Sequence, residues 1–219
     1  AERFRFVGRE RAYHGMNIGC ISVGGMINNV KTFASIMMPG VLHMRHTNLP
    51  DHKFISGQPE TGAELADDLE RFAINFGGEN IAACIVEPIA GSTGTLVPPK
   101  GYLQKLRETC DKHGILLIFD EVITGWGRTG SSFASIEYGV TPDIMTMAKA
   151  TTNGVVPMGV VACKDEIYDS VMDASPMGSV ELFHGYTYSG IPVAVAAALA
   201  VQDIFEKEDI FNRAKDLAK

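Results

Sequence analysis

Two charged residues stand directly after apolar runs that are typical of buried strands. Asp120 follows Ile115–Phe119, and Lys149 follows Ile144–Ala148. Runs without polar alternation favour strands covered on both faces, as in a parallel sheet flanked by helices. If the two strands are parallel, their carboxyl ends meet at one crevice and both charges face it. An acid and an amine in a partly dry cleft suit Schiff-base chemistry on an electron-sink cofactor.

The elements around this pair predict an α/β fold. Ile81–Val86 is a third apolar run, and it ends at Glu87 as the others end at Asp120 and Lys149. A helical pattern follows from Gly101 to His113 and leads into the next strand. A strand, a helix and a strand in this order form a βαβ unit, which places consecutive strands in parallel.

The remaining segments complete a mainly parallel sheet flanked by helices. We predict a short strand from Phe4 and a Gly-rich and Met-rich loop to about Gly40. Glu64–Phe76 has one apolar stripe and predicts an amphipathic helix. The further predicted elements are a strand at Val160–Cys163, helices at Lys164–Met172 and Pro192–Lys207, and a helical pattern near Lys219.

Three histidines, His43, His46 and His52, raise the alternative of a zinc site. No cysteine or acidic partner with metal-ligand spacing accompanies them, and Asn48 and Pro50 are typical of an exposed loop. We therefore interpret them as solvated loop residues and expect no metal.

The overall composition is ordinary for a soluble globular protein and argues against a nucleic-acid surface. The 219 residues include 19 basic and 26 acidic side chains, for a net charge of −7, and no basic patch is visible. The longest apolar run, Ile191–Val201, is too short to span a bilayer. The cysteines lie far apart and predict free thiols in a reducing compartment, so we expect a cytoplasmic protein: Cys20, Cys84, Cys110 and Cys163.

Two nucleotide-binding motifs are considered and set aside. Gly125–Gly130 matches G-x-G-x-x-G, but it lies five residues beyond the strand and lacks the acidic residue expected further on. A tight turn is the better interpretation. Leu116–Glu121 resembles the aspartate segment of nucleotide hydrolases, yet the chain has no G-x-x-x-x-G-K-[ST] loop.

The residues alone leave one structural alternative open for Lys149. A lysine after a strand is normally a solvated surface charge, but here Asp120 and Glu87 stand at neighbouring predicted strand ends, and Tyr13 supplies an aromatic side chain. Such a group is a candidate cofactor site. Carboxylates and a lysine also form purely structural ion-pair networks, and spacing does not separate the two.

Five ordered motifs resemble the class III (ω-) aminotransferases, which use pyridoxal 5'-phosphate. The resemblance covers the whole chain and implies a fold-type I large domain. The motifs are Tyr13–Gly15, Val86–Pro88, Asp120–Gly130, Ala148–Lys149 with the turn and glycine segment to Gly159, and His184–Gly190.

The resemblance implies a role for each matching residue. Lys149 forms the Schiff base with the cofactor aldehyde and later moves a proton as a base. Asp120 pairs with the pyridine nitrogen and keeps it protonated. Tyr13 stacks on one face of the ring, and Val122 covers the other.

Three more residues are assigned to the cofactor site in the same way. His14 belongs to the first motif, and Glu87 is expected close to Asp120. Thr187 corresponds to the residue that reaches the phosphate of the neighbouring subunit, which implies a homodimer with shared active sites.

Departures from the family pattern indicate the branch. Many relatives have Gln where this chain has Ile123, and ornithine- and 4-aminobutyrate-type enzymes have Glu where it has Ser92. Together these residues resemble the β-alanine (ω-amino acid):pyruvate enzymes. Ile191 replaces a usual His.

The expected function is amino transfer from an ω-amino acid or amine to a keto acid such as pyruvate. Residues 1–219 would be a partial large domain, with the phosphate-binding loop upstream and a small domain downstream. The alternatives are another class III activity, of the aminomutase or dialkylglycine decarboxylase type, or a catalytically inert folded fragment.

Overall fold

A six-stranded, mainly parallel sheet organises the chain, in the order β2-β1-β3-β4-β5-β6. The structure is a computed structural model that describes residues 2–53, 55–177, 182, 184 and 186–218. Its strands are β1 (Arg5–Arg9), β2 (Val41–Met44), β3 (Ile81–Val86), β4 (Leu116–Asp120), β5 (Ile144–Met147) and β6 (Val160–Cys163).

Eight α-helices are found among the described residues. They are α1 (Ile18–Val23), α2 (Ile27–Phe33), α3 (Asp67–Phe76), α4 (Tyr102–His113), α5 (Ala134–Glu137), α6 (Asp165–Asp173), α7 (Pro192–Lys207) and α8 (Ile210–Leu217). Short 3-10 helices occur at Ala34–Ile36, Pro50–His52, Ala63–Ala66, Gly78–Asn80 and Lys149–Thr151. No helix within the described ranges is long and apolar enough to cross a bilayer.

The strand directions confirm the predicted βαβ unit and the parallel sheet. β3 and β4 are parallel and joined through α4, and β4 and β5 are parallel with Asp120 paired to Thr146. The carboxyl ends of β4 and β5 therefore lie side by side. β6 runs antiparallel to β5 and forms one edge of the sheet.

The hydrophobic core lies on one face of the sheet. Val7, Cys84, Leu117 and Phe119 point from β1, β3 and β4 into it and are fully buried. The buried stripes of α3 and α4 cover them, with contributions from Leu69, Phe72, Leu103 and Leu106. The alternating residues on the opposite face, such as Ile85 and Ile118, are only half-buried.

Asp143 ties three elements together at the amino end of β5. Its carboxylate accepts hydrogen bonds from the Leu117 N–H at 2.7 Å, from Arg107 of α4 at 2.8 Å and from Lys164 at 2.7 Å. Burial disfavours the charged form, but these three donors outweigh it and hold the pKa of Asp143 below its ordinary value. The ionised carboxylate thus supports the β4–β5 register.

The predicted loop up to Gly40 was wrong, because this segment contains α1 and α2. The Asn17 side chain caps α1 by accepting the Cys20 N–H at 2.9 Å. Helices of six and seven residues are too short to show a reliable helical period in sequence.

The solvated loop predicted around the histidines was also partly wrong. His43 lies in β2, which pairs in parallel with β1, and its Nε2 lies 2.8 Å from the Gly24 carbonyl oxygen. This pairing buries the segment partly, and the histidine has a protein partner in place of solvent.

Candidate active site

Asp120 is the buried acid at the carboxyl end of β4. Its side chain is only 7% exposed. Oδ2 lies 2.8 Å from His14 Nδ1, and Oδ1 accepts the Val122 N–H at 3.1 Å. Since an ionised carboxylate only accepts hydrogen bonds, His14 donates through Nδ1. Both oxygens are therefore fixed in direction before any ligand is present.

A cavity of about 490 Å³, which we call the Asp120 cavity, opens beside this carboxylate. Its lining includes His14, Cys20, Asp120, Val122 and Ala148. The volume lies within the ~300–1,000 Å³ that small-molecule sites typically have. The wall is mostly apolar with one fixed acid, the combination with which small-molecule sites hold and orient a ligand.

Cys20 reports on the electrostatics of this cavity. Burial, together with the negative charge of Asp120, raises the pKa of the Cys20 thiol. The thiol is thus held neutral beside the acid, and Asp120 is the group that gives the cavity its charge.

His14 carries a buried atom whose hydrogen bonding is incomplete. Its side chain is 2% exposed, and Nε2 has no hydrogen-bond partner among the described residues. Buried polar atoms without a partner are rare in folded proteins. Because His14 lines the Asp120 cavity, this atom fits a site that a polar ligand or a water molecule completes.

Lys149 lies on the opposite side of the two segments that follow β4 and β5. It lines a second cavity of about 830 Å³, the Lys149 cavity, together with Ser92, Ile123, Thr129 and Arg128. Consecutive residues separate the two cavities: Val122 and Ala148 line the first, and Ile123 and Lys149 line the second. The structure thus places the acid and the amine in neighbouring cavities and not in the single crevice that the sequence predicted, because adjacent residues of each segment face opposite sides. The Lys149 residue is exposed.

Glu87 and Tyr13 form a separate contact at the end of β3. The Glu87 carboxylate, which is buried, accepts the Tyr13 N–H at 3.0 Å and the Gly91 N–H at 3.0 Å. Glu87 therefore fixes the backbone next to His14 and the turn that leads to Ser92. Tyr13 itself lines neither of the two cavities.

Thr187 is separate from these groups. It lies in an exposed turn and lines neither cavity. Its motif, His184–Gly190, falls partly outside the described residues.

Glu121 is a buried residue whose part in the site the sequence analysis missed. It is 1% exposed, and its carboxylate accepts hydrogen bonds from Thr124 Oγ1 at 2.5 Å, Ala134 N at 2.9 Å and Ser135 N at 2.7 Å. These bonds close the glycine-rich turn after β4, which carries Val122 and Ile123. The sequence carried one signal for it, because Glu121 is an acidic residue directly after Asp120, the acid predicted to end the strand.

The Aminotransferase class-III family model matches residues 1–219. The chain belongs to the class-III aminotransferase family. It is 56% identical over 214 residues to an omega-aminotransferase of Caulobacter vibrioides, covering 97% of this chain and 48% of that protein. It is 49% identical over 219 residues to a beta-alanine--pyruvate aminotransferase of Pseudomonas aeruginosa, covering 99% of this chain and 48% of that protein.

Solved structures give the same result for the fold. An omega-transaminase from Thermomicrobium roseum has a TM-score of 0.85 at 41% identity over 95% of this chain and 46% of its own. A transaminase with L-alanine has a TM-score of 0.89 at 36% identity over 98% of this chain and 50% of its own. The chain spans about half the length of the proteins it matches. The expected fold-type I architecture is therefore confirmed for the part of the fold that the chain covers.

Proposed function

We propose that the protein carrying this chain transfers an amino group from an ω-amino acid or amine to a keto acid such as pyruvate, with pyridoxal 5'-phosphate as its cofactor. The observation that carries the proposal is the fixed Asp120 carboxylate beside a ring-sized cavity. Asp120 ends β4, and Lys149 follows β5, the parallel strand next to it. Membership of the class-III family and the names of the similar aminotransferases support the same reaction.

The residues of the Asp120 cavity fit the cofactor ring. Asp120 would hold the ring nitrogen, since a carboxylate beside a basic nitrogen keeps that nitrogen protonated. His14 orients Asp120 through its Nδ1–H, and Val122 supplies apolar surface for one face of the ring. Tyr13 lines neither cavity, so its stacking on the other face of the ring stays a prediction, and Glu87 holds the Tyr13 backbone in place.

Lys149 would carry the amine chemistry. When bound, pyridoxal phosphate supplies an electron sink for the pair released at the substrate carbon. Lys149 would anchor the cofactor through Nζ in the resting protein and accept and return the proton at the substrate carbon during the reaction. The Lys149 cavity, with Ser92 and Ile123 in its wall, would receive the amine and the keto acid.

The remaining assignments extend the proposal to the assembly. Thr187 lies in an exposed turn, from which it would reach the cofactor phosphate of a second subunit in a homodimer.

The four free cysteines support a reducing compartment, and we propose the cytoplasm.

Cofactor attachment tests the proposal directly. The complete protein is mixed with pyridoxal phosphate, reduced with borohydride and digested, and the peptide that contains Lys149 is weighed. We expect the cofactor mass on Lys149, and no such mass in Lys149→Ala. Lys100→Ala removes an exposed lysine that pairs with Glu60 and serves as the matched control. Absence of the mass in the wild type would refute the proposal.

A substrate panel then separates the class-III activities. We expect β-alanine and simple amines to convert pyruvate to alanine. Isomerisation of one substrate without net transfer would indicate an aminomutase, and amine-dependent release of carbon dioxide would indicate a decarboxylase. Either result would overturn the proposed amino transfer.

A further inference from the structure

Two bulky residues near the site have a backbone conformation that L-residues avoid. Trp126 has φ of 61° and Lys149 has φ of 42°. A positive φ is uncommon for residues other than Gly, Asn and Asp. Such residues keep this conformation only where surrounding contacts force it, and they cluster at functional sites.

The Thr151 hydroxyl connects these two residues. Trp126 Nε1–H donates to Thr151 Oγ1 at 2.9 Å, and Thr151 Oγ1 donates to the Ala148 carbonyl oxygen at 2.9 Å. An indole nitrogen only donates, so the direction of both bonds is fixed. The Ala148 carbonyl belongs to the peptide group that joins Ala148 to Lys149. Thr151 is 3% exposed, so water does not replace either bond when it is lost.

The Lys149 end of this connection is held by further backbone bonds. Thr151 N–H also donates to the Ala148 carbonyl at 2.9 Å, and Gly154 N–H donates to the Lys149 carbonyl at 3.2 Å. The Ala148 carbonyl therefore accepts two bonds from one residue. Lys149 lies between two fixed carbonyl groups, its own and that of Ala148.

The Trp126 end is anchored to the turn after β4. Trp126 N–H donates to the Ser132 carbonyl at 2.6 Å, and the indole ring packs on Phe133 with centroids 4.9 Å apart. The next two N–H groups, of Ala134 and Ser135, bind the buried Glu121 carboxylate. A continuous set of contacts thus runs from the residue after Asp120 to Lys149.

We propose that Trp126 and Thr151 are positioning residues that hold the backbone of Lys149 in its left-handed conformation and so direct its amine. The proposal rests on the proposed function, because it requires Lys149 to be the amine that acts. Neither residue has to touch substrate or cofactor. Their effect passes through the Ala148 carbonyl to the backbone of Lys149.

Hydrogen exchange of the cofactor-free protein tests the proposal without any catalytic readout. Trp126→Phe keeps an aromatic ring against Phe133 and removes only the N–H donor. We expect the amides of residues 148–154 to exchange about fivefold faster, the factor that corresponds to one net hydrogen bond. Ser131→Ala is the matched control, because it removes a 2.6 Å side-chain bond from the same turn with no link to Lys149. The control leaves exchange in residues 148–154 unchanged.

Kinetics and a second position separate positioning from general stability. In the complete enzyme we expect Trp126→Phe to lower kcat about fivefold and Thr151→Val about thirtyfold, with KM nearly unchanged, the range that loss of one or two net hydrogen bonds predicts. Thr151→Ser keeps the hydroxyl and restores wild-type exchange and kcat.

The two proposals fail in different ways. If the wild type shows no cofactor attachment at Lys149, the proposed function falls and this proposal falls with it. If attachment is normal while Trp126→Phe and Thr151→Val match the wild type in exchange and kcat, only the positioning role is refuted. Equal loss in Thr151→Ser and Thr151→Val would also refute it, since the hydroxyl would then be irrelevant.

Discussion

The Asp143 cluster gives a sharp test of how the β4–β5 register is held. In Asp143→Asn the side-chain oxygen still accepts the Leu117 N–H and Arg107, while the new amide faces the Lys164 ammonium. The bond to the half-buried Arg107 loses its charge assistance, and the Lys164 pair, with Lys164 42% exposed, contributes little. We expect the free energy of unfolding at pH 7 to fall by about 1–3 kcal/mol, measured by urea denaturation with an unchanged slope.

The free energy of unfolding that Asp143→Asn loses should shrink as pH falls. The folded pKa of Asp143 lies below its ordinary value, so the carboxylate stabilises the fold above about pH 4 and loses that effect as pH falls through the folded pKa. The gap between wild type and Asp143→Asn should therefore close in acid. Asp111→Asn is the control, because Asp111 pairs with the same Arg107 at 2.6 Å but is 65% exposed; it should cost about 0–1 kcal/mol. Equal losses in both variants, or a gap that persists in acid, would refute the reasoning.

Two further predictions concern the turn after β4 and a half-buried phenol. Gly127 has φ of 93°, and an added Cβ would lie 2.6 Å from Phe211 Cδ1. Gly127→Ala should therefore lower the free energy of unfolding by about 2–4 kcal/mol. Gly139→Ala, where φ is 64° with open space around it, should lower it by about 1–2 kcal/mol. Thermal unfolding compares the two, and equal shifts would contradict the contact with α8. Burial, with Glu137 nearby, raises the pKa of Tyr138 to about 12. The stability that the neutral phenol contributes is therefore complete below about pH 10 and is lost as pH rises from there through the folded pKa. The phenolate absorbance of wild type minus Tyr138→Phe should appear only there, and a difference signal near pH 10 would disprove it.

Some elements follow from sequence because their signals are local. α7 begins at Pro192 and ends at Lys207 as predicted, since proline is well suited to the first turn and the apolar pattern is long. β3 and α4 also match, because each is bounded by glycine, proline or a charge. The antiparallel direction of β6 did not follow, since a four-residue apolar run carries no information about direction.

The candidate site divides in the same way. The residue identities came from ordered motifs, and the parallel direction of β4 and β5 was predicted correctly. The single crevice expected for Asp120 and Lys149 was not, because the two residues line neighbouring cavities. The contacts between distant parts of the chain did not follow from the motifs. His14 meets Asp120 across 106 positions, and Trp126 meets Thr151 across 25. Hydrogen bonds of this kind leave no periodic pattern, so only the folded chain shows them.

The alternation along β4 has a consequence for how such a protein can change. Leu117 and Phe119 point into the core, whereas Ile118, one residue away, lines the Asp120 cavity. Substitutions at Leu117 or Phe119 lower the stability of the domain, whereas a substitution at Ile118 changes the wall of the Asp120 cavity. Stability and the shape of the cavity wall thus depend on opposite sides of a single strand, so natural variation or directed evolution can change one while the other is held constant.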